Sequence, residues 1–303
     1  MALLASSRFL TPEDVTSAGY TRTAQFWGAL EVFLVPADPT LRSYDHIFKE
    51  FDSPLMRQLR EQAYGKDIGQ HSWVTAEDLE ADISRLGITA STRLLDLGCG
   101  PGGTLTFAAG LTKCRATGID VSPQAIAAAQ NRAASFGLTC VTFQQVDLNQ
   151  PLPFADASFE VAMSLDVVVH LENRAALFRE VARVLIPGGK FLFTDAGVLT
   201  GAISKDEVRL RSIHGHTQFV PPGFNERALE RAGFEVLAAN DRTAALLKNA
   251  VGRLSARLAH REELERIEGS PNFEREQQFL ACVLDLSQRK VLTRMSYLAQ
   301  AAT

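Results

Sequence analysis

The chain has 303 residues, of which 46% are hydrophobic and 22% charged, with a formal net charge of −4. This composition is that of an ordinary globular protein with one large domain, or with a core domain that carries insertions. The chain is slightly acidic and has no run of five or more Lys or Arg residues. It therefore lacks the clustered positive charge that is typical of proteins that bind nucleic acid or an anionic membrane. We therefore expect neither as a partner.

The cysteines and the N-terminal residues indicate the cellular compartment of the protein. The four cysteines lie far apart and form no C-x-x-C pair, which is typical of reduced thiols. The opening MALLASSRFL has no basic region ahead of its apolar residues, unlike a signal peptide. The apolar stretch 26–35 is too short to span a bilayer and contains Glu31. These features predict a cytoplasmic protein.

The segment ahead of residue 93 has the pattern of helices. Thr11-Pro12-Glu13-Asp14 resembles a capped helix start, and Ala76–Leu86 is amphipathic. The segment has too few apolar residues for an independent core. We therefore interpret residues 1–92 as a helical N-terminal extension, or lid, of a core that spans residues 93–303.

From Arg93 onward, short apolar runs alternate with amphipathic stretches. The predicted strands are Arg93–Leu97, Arg115–Asp120, Cys140–Val146, Glu160–Leu165 and Lys190–Asp195. The predicted helices are Gly103–Leu111, Pro123–Phe136 and Asn173–Leu185, with a stop and turn at Pro187-Gly188-Gly189. The strands are apolar on both faces, as expected when helices cover both sides of a parallel sheet. The alternation predicts a doubly wound, Rossmann-like α/β sheet.

The C-terminal part adds a predicted helix at Pro222–Ala232, a strand at Phe234–Ala239 and a last strand at Val291–Leu298 with one exposed face. A charged helical insertion, residues 241–288, precedes the last strand, and Gly269-Ser270-Pro271-Asn272 is predicted to split it into two helices. Its apolar face is predicted from 4-3-4 spacing to comprise Leu247, Val251, Leu254 and Leu258. We expect an amphipathic layer on the sheet; a lid over a pocket and a contact within a homo-oligomer are the alternatives.

The stretch RLLDLGCGPGG, residues 93–103, ends a strand in glycines and opens a helix. It formally satisfies G-x-G-x-x-G, and Asp120 ends the next strand, where an acid accepts from ribose hydroxyls. Both NAD and S-adenosylmethionine fit this pattern. Asp96 distinguishes between these two ligands, because its carboxylate would repel the pyrophosphate of NAD but attract the ammonium and sulfonium of S-adenosylmethionine. A nicotinamide dehydrogenase is therefore disfavoured.

A third acid, Asp147, ends the third strand. A carboxylate at this place is suited to accept from an adenine amino group, while the amide of Leu148 can meet a ring nitrogen. Acids at the ends of three successive strands, with glycines between them, predict a cationic nucleoside ligand. We therefore expect S-adenosylmethionine as the cofactor.

Four segments within residues 93–195 resemble motifs I to V of the class I S-adenosylmethionine-dependent methyltransferases. They are LLDLGCGPGG, ATGIDVS, QQVDLNQPLPFADASFEVAMSLDVVVHL and REVARVLIPGGKFLFTD. The resemblance implies an enzyme built on a seven-stranded sheet whose last strand runs antiparallel. The cofactor contacts it implies are Asp96, Gly98 and Gly100 at the methionine part, Asp120 at the ribose, Val121, Asp147 and Leu148 at the adenine, and Leu165 after the fourth strand.

Methyl transfer requires alignment of the acceptor, and in many cases a base. His170, in SLDVVVHL, follows the fourth strand and is a candidate general base. The alternative is a histidine that packs at the start of the next helix and bonds to a backbone carbonyl. Asp166 is a weaker candidate, which we expect to hold the loop.

The stretch YGKDIGQHSW, residues 64–73, resembles the GGEDIHIG segment of sarcosine/dimethylglycine-type and natural-product methyltransferases, where it folds over the cofactor. Gln70-His71-Ser72 departs from that pattern, so the acceptor need not be the same. His71 is a candidate acceptor-site residue, with packing at a helix start as the alternative. Tyr44 and Asp45 resemble a YD pair that closes on the methionine end of the cofactor.

Two further histidines, His214 and His216, lie where this fold usually builds its acceptor pocket. A third ligand is lacking, so pocket lining or exposure is favoured over a metal site. Ser164-Leu165-Asp166 stands where nucleic-acid methyltransferases carry Pro-Cys or Asp/Asn-Pro-Pro-Tyr. We therefore expect methyl transfer to N, O or C of a small metabolite or natural product. A cyclase, lyase or binding protein that retains the cofactor is the alternative.

Overall fold

A computed structural model describes residues 33–35, 48 and 50–303. The predicted helix start at Thr11–Asp14 and the predicted cofactor contact Tyr44 lie outside the described residues.

A seven-stranded sheet forms the centre of the described chain. In chain order the strands of the described residues are β1 (Phe33–Val35), β2 (Arg93–Leu97), β3 (Arg115–Asp120), β4 (Val141–Gln145), β5 (Phe159–Leu165), β6 (Leu185–Leu199), β7 (Thr217–Phe219), β8 (Phe234–Asp241) and β9 (Leu292–Ala301). The large sheet has the order β4-β3-β2-β5-β6-β9-β8, and β9 runs antiparallel to both neighbours. β1 and β7 pair with each other outside it. The predicted Rossmann-like sheet with an antiparallel last strand is confirmed.

Helices alternate with these strands along the chain. They are α1 (Pro54–Tyr64), α2 (Ala76–Leu86), α3 (Gly103–Thr112), α4 (Pro123–Ser135), α5 (Arg174–Val184), α6 (Lys205–Arg211), α7 (Phe224–Arg231), α8 (Thr243–Ala259), α9 (Arg261–Glu268) and α10 (Ser270–Gln288). The helix starts follow local chemistry, as at α4, where the Ser122 hydroxyl accepts from the Ala125 amide and Pro123 is the first helical residue.

The two faces of the sheet carry separate hydrophobic clusters. Leu95 and Phe191 pack with α5 and α7 on one face, whereas their neighbours Leu94 and Leu192 pack with α2, α3 and α4 on the other. Successive side chains of a strand point to opposite faces, so a strand with helices on both sides must be apolar at every position. This arrangement explains the apolar strand runs.

Two strands differ from their predicted form. Pro187-Gly188-Gly189 is predicted to form a turn before the strand, but these residues lie within β6, which begins at Leu185. The pairing of β6 with β5 shows a register shift. The last strand has no fully exposed face: along β9, buried residues alternate with partly buried ones. Arg294 and Ser296 on β9 are accordingly buried.

The insertion before β9 is helical as predicted, but it forms three helices, with a break at His260 in addition to the one at Gly269. The predicted apolar face is only partly correct for α8, of which Leu254 packs against a hydrophobic cluster as expected. Its buried residues include Leu246 and Ala250, whereas Val251 is 48% exposed and Leu258 is 55% exposed. The helix is therefore rotated by about one residue from the predicted orientation.

The N-terminal helices pack on both the core and the insertion. α2 contributes Leu79 and Ile83 to a hydrophobic cluster that also contains core strand residues. α1 shares a second cluster with α8, α9 and α10, and Gly252 of α8 permits a close approach to the backbone of Ala63. Arg242, at the start of α8, pairs with Asp82 of α2 at 2.8 Å. Among the described residues, no helix is long and apolar enough to cross a bilayer.

Candidate active site

A cavity of about 700 Å³ lies at the carboxyl ends of the central strands. This is the place where doubly wound sheets bind ligands, and the volume suits a cofactor-sized molecule. All the predicted site residues that the structure describes line it: His71, Asp96, Gly98, Gly100, Asp120, Val121, Asp147, Leu148, Leu165 and His170. The fold thus brings together residues that are up to 99 positions apart in the sequence.

Asp96 is buried at the floor of the cavity with 1% of its surface exposed. Burial raises its pKa to about 8, against the effect of a 3.4 Å hydrogen bond from the Thr104 hydroxyl, and the charge of Asp120 raises it further. Below about pH 8 the carboxyl group is therefore mostly protonated, and a positive charge brought beside it would favour its ionised form.

The glycine turn after β2 does not present its amides as an anion cradle. The amides of Gly98 and Cys99 both donate to the carbonyl of Ile119, at 2.8 and 2.9 Å. Gly98 has a φ of +76°, and a Cβ there would strike Val167. Because these donors are engaged within the sheet, a pyrophosphate would find few partners here.

Asp120 ends β3 and shapes the turn from the side. One carboxylate oxygen accepts from the Gly100 amide at 2.9 Å, and the other accepts from the Ser122 amide at 2.9 Å. These bonds hold the carboxylate at the cavity wall, and a carboxylate is a group that can accept from hydroxyl groups. The neighbouring Val121 is 61% exposed and lines the same wall.

Asp147 follows β4 at the adenine end of the predicted site. Its carboxylate accepts from the amide and the side chain of Asn149, at 2.9 and 3.1 Å. Leu148 is buried and belongs to the hydrophobic cluster of one sheet face. The acid is thus held by its own turn while it borders the cavity.

The segment 64–73 packs directly on the glycine turn. A Cβ at Gly103 would overlap the carbonyl of Gly69. Gln70 is buried and bridges the loop, accepting from the Ile68 amide at 2.9 Å and donating to the Lys66 carbonyl at 3.1 Å. The segment therefore forms a wall of the cavity, as the resemblance of YGKDIGQHSW implies.

His71 projects from this segment against aromatic rings. Its ring lies edge-on to Phe48 at 5.6 Å and to Phe51 at 6.1 Å between centroids. Burial lowers its pKa well below the usual value, and the positive charge of Arg253 lowers it further. His71 is therefore a neutral, aromatic-packed residue at the cavity.

His170 ends a single 3₁₀ turn, Val168–His170, after β5. Its Nδ1 lies 3.0 Å from the carbonyl oxygen of His216. Because a carbonyl only accepts, Nδ1 carries the proton and Nε2 carries the lone pair. Burial lowers the pKa of His170 to about 4, although the backbone bond opposes this effect. Both predicted features, the carbonyl bond and a place at the cavity, occur together.

Asp166 holds the loop, as predicted. It has a φ of +61°, and its carboxylate accepts from the Trp73 amide at 2.8 Å and from the Thr194 hydroxyl at 2.8 Å. It also pairs with buried Arg294 at 2.9 Å. One carboxylate thus ties β5, β6, β9 and the segment 64–73 together, which explains why β9 buries an arginine.

A basic and aromatic wall, absent from the sequence predictions, faces the cavity beyond β5 and β6. It consists of Trp73, Arg211, Arg253 and Phe279. The Arg253 guanidinium lies 4.8 Å from the centre of the Trp73 ring, and the Arg211 guanidinium lies 5.3 Å from that of Phe279. Arg211 adjoins the predicted acceptor linker, which is a weak signal; no sequence pattern marks Arg253.

His214 and His216 occupy the linker after α6 and both line the cavity. His214 Nε2 lies 3.2 Å from Glu276, and its ring packs edge-on to Phe279 at 4.8 Å. Across the part of the chain that the structure describes, no three His, Cys, Asp or Glu side chains are grouped as a metal site would need.

Three acids at adjacent strand ends around a glycine turn are suited to a nucleoside cofactor, and their charge favours a cationic one. The donor set fits S-adenosylmethionine: buried Asp96 can offset positive charge on the cofactor, and the Asp120 carboxylate at the cavity wall is of a type that accepts ribose hydroxyls.

Comparison with known proteins agrees with this assignment. A family profile described as a methyltransferase domain matches residues 95–193. Phosphoethanolamine N-methyltransferase 1 from Triticum aestivum is 31% identical over 167 residues, which are 55% of this chain and 33% of the relative. The O-methyltransferase rstn1 from Aspergillus nomiae is 33% identical over 179 residues, 55% of this chain and 76% of the relative.

Solved structures share the fold at low sequence identity. Phosphoethanolamine N-methyltransferase 2 from Haemonchus contortus has a TM-score of 0.70 at 19% identity, covering 91% of this chain and 70% of that one. The [4+2]-cyclase SpnF has a TM-score of 0.67 at 22% identity, covering 89% of this chain and 100% of that one. The chain belongs to the class I S-adenosylmethionine-dependent methyltransferases, and its cofactor is S-adenosylmethionine.

Proposed function

We propose that the protein transfers the methyl group of S-adenosylmethionine to a nitrogen, oxygen or carbon atom of a small metabolite or natural product. The observation that carries the proposal is one cavity in which acids border the predicted cofactor side and His170, His71 and aromatic rings border the other. Relatives named for phosphoethanolamine N-methylation and for O-methylation support a small acceptor. The matched region is only a third of the wheat relative's length, so its substrate is not carried over.

The roles of the residues follow from what the reaction needs. Bound S-adenosylmethionine supplies an electrophilic methyl group on a positively charged sulfur. The protein must align the acceptor with that group and exclude water. The segment 64–73 closes one side, and the Trp73 amide bond to Asp166 fixes it to the end of β5. Asp96 is placed to balance positive charge on the cofactor.

His170 is the residue that we propose to meet the acceptor. Its Nδ1 proton is used by the His216 carbonyl, so its Nε2 can accept a hydrogen bond from an O–H or N–H group. A pKa of about 4 keeps the imidazole neutral at pH 7 and makes it a weak base. We therefore expect it to orient the acceptor in every case and to take its proton where the acceptor is acidic enough.

The test is product formation. The purified protein is incubated with S-adenosylmethionine and a panel of small hydroxyl, amine and carbon-acid acceptors, and S-adenosylhomocysteine is quantified by mass spectrometry. An acceptor-dependent rise that is lost in Asp120→Ala supports the proposal. Cofactor binding without S-adenosylhomocysteine formation across the panel counts against it.

A second candidate is a cyclase, lyase or binding protein that retains the cofactor. The structural alignment with the [4+2]-cyclase SpnF, which covers the whole of that chain, is the reason to consider this candidate. The fold is common to both functions, so chemistry depends on the acceptor side of the cavity. Consumption of a substrate with S-adenosylmethionine left intact would support the second candidate.

A further inference from the structure

Apart from Asp166, which pairs with Arg294, the acids and the arginines that line the cavity lie at different sides of it. Asp96, Asp120 and Asp147 end or follow β2, β3 and β4, which are neighbours at one side of the sheet. Arg211 and Arg253 lie at the other side. Arg211 donates to the carbonyl of Ala196 on β6 at 3.0 Å, and Arg253 stacks on Trp73, whose amide is bonded to Asp166 at the end of β5.

We propose that the methyl acceptor carries an oxyanion, a carboxylate or a phosphate, on an apolar body, and that Arg253 and Arg211 bind this group. The inference rests on the proposed methyl transfer and names the substrate class of that same site.

Arg253 is available to a ligand at the cavity wall. Its guanidinium contacts the face of the Trp73 ring and makes no hydrogen bond or ion pair with any residue of 50–303. Asp166, which is bonded to the Trp73 amide, pairs with Arg294, and Glu276 of α10 bonds to His214. Stacking uses the face of a guanidinium and leaves its in-plane N–H donors for a planar or tetrahedral oxyanion.

Arg211 extends the same wall. It is 4% exposed, and its guanidinium lies over Phe279, whose ring centre is 6.4 Å from that of Trp73. The two arginines are therefore linked through adjoining aromatic rings. A buried positive charge beside a cavity attracts anions more strongly than an exposed one, because solvent screens it less.

The surroundings of the wall describe the rest of the ligand. Trp73 and Phe279 contact the two guanidinium groups, and Val169, Leu171 and Ala196 add apolar surface to the lining of the same cavity. An acceptor with only polar groups would leave this surface in water. An apolar body that ends in an oxyanion satisfies both the rings and the charges.

A bound oxyanion would also act on His170. After burial, the charge of Arg211 contributes to the low pKa of that histidine. An anion at the wall offsets this charge and raises the pKa toward the working pH. Binding of the proposed substrate class would thus make His170 a better base only when the acceptor is present.

The experiment uses the full chain saturated with S-adenosylhomocysteine, so that the cofactor side is filled. Calorimetry then measures binding of phenylacetate, phenyl phosphate and phenylacetamide, the last a neutral match for the first. We expect the two anions to bind about tenfold or more tightly than the amide. Arg253→Gln should weaken the anions by about tenfold, the loss expected for a hydrogen bond to a charged group, and Arg253→Lys by less.

Lys248→Gln is the matched control, since Lys248 lies exposed on the same helix, outside the cavity lining, and the substitution removes the same charge. Equal affinity for phenylacetate and its amide, no anion binding, or an unchanged Arg253→Gln variant would overturn the inference. Anion binding that S-adenosylhomocysteine abolishes would also overturn it, by assigning the arginines to the cofactor carboxylate. Failure of S-adenosylhomocysteine itself to bind is a separate result, which contradicts the proposed function.

Discussion

Asp96 should make cofactor affinity depend on pH. Burial raises its pKa to about 8, so the carboxyl group is mostly neutral near pH 6.5 in the cofactor-free protein. A cationic ligand favours the ionised form, so binding releases a proton and affinity rises with pH. Each pH unit below 8 should weaken S-adenosylmethionine binding by as much as tenfold, or about 1.4 kcal/mol, and the affinity should level off above pH 8.

Calorimetry in buffers with different ionisation enthalpies measures both the affinity and the number of protons released. We expect nearly one proton at about pH 6.5 and few above pH 8. Asp96→Asn should abolish the pH dependence. Thr104→Val keeps the carboxyl group but removes a hydrogen bond that favours its ionised form, so the midpoint should move upward. Equal wild-type affinity on both sides of pH 8, or the same dependence in Asp96→Asn, would refute the reasoning.

Three other predictions concern the cofactor acid, the acceptor histidine and the buried ion pair. Asp120→Ala should weaken S-adenosylmethionine binding by about 1–3 kcal/mol in calorimetry, because a charged acceptor for the ribose is lost. His170→Asn keeps a donor for the His216 carbonyl but removes Nε2, so turnover should fall about 100-fold at unchanged cofactor affinity if the histidine is the base. Asp166→Asn should lower the free energy of unfolding by about 3 kcal/mol in urea titrations, because Arg294 remains buried without its counter-charge.

Each of these has an outcome that contradicts it. Undiminished affinity in Asp120→Ala would remove the ribose assignment, and near-normal turnover in His170→Asn would return that histidine to packing. An unchanged urea midpoint in Asp166→Asn would mean that water or another acid compensates the Arg294 charge. The matched control is the double variant Asp166→Asn with Arg294→Met, in which the buried positive charge is removed together with its partner. The double variant should lose less free energy of unfolding than Asp166→Asn alone.

The cofactor side of the site was predictable from sequence because its signals are local. Each acid stands at the end of an apolar run, and the carboxyl ends of parallel strands meet at one edge of the sheet. Asp96, Asp120 and Asp147 therefore converge in any doubly wound fold that pairs these strands. The helix caps are equally local, as with Ser122 and Pro123.

The insertion shows where local pattern fails. Leu246 and Leu247 are both apolar, as are Ala250 and Val251, so two faces of α8 have similar periodicity. The choice between them is made by packing, including the close approach of Gly252 to Ala63 on α1. The spacing of apolar residues within α8 contains no information about a contact with a distant helix.

The sequence by itself determined the alternation of strands and helices, the glycine turn and the acids suited to a cationic nucleoside, because each of these features depends on residues that are neighbours in the chain. Only the tertiary structure decided that β9 enters between β6 and β8 and buries Arg294 against Asp166. It also decided that Trp73, Arg253 and Phe279 form one wall, since residues so distant in the chain meet only through the packing of separate elements.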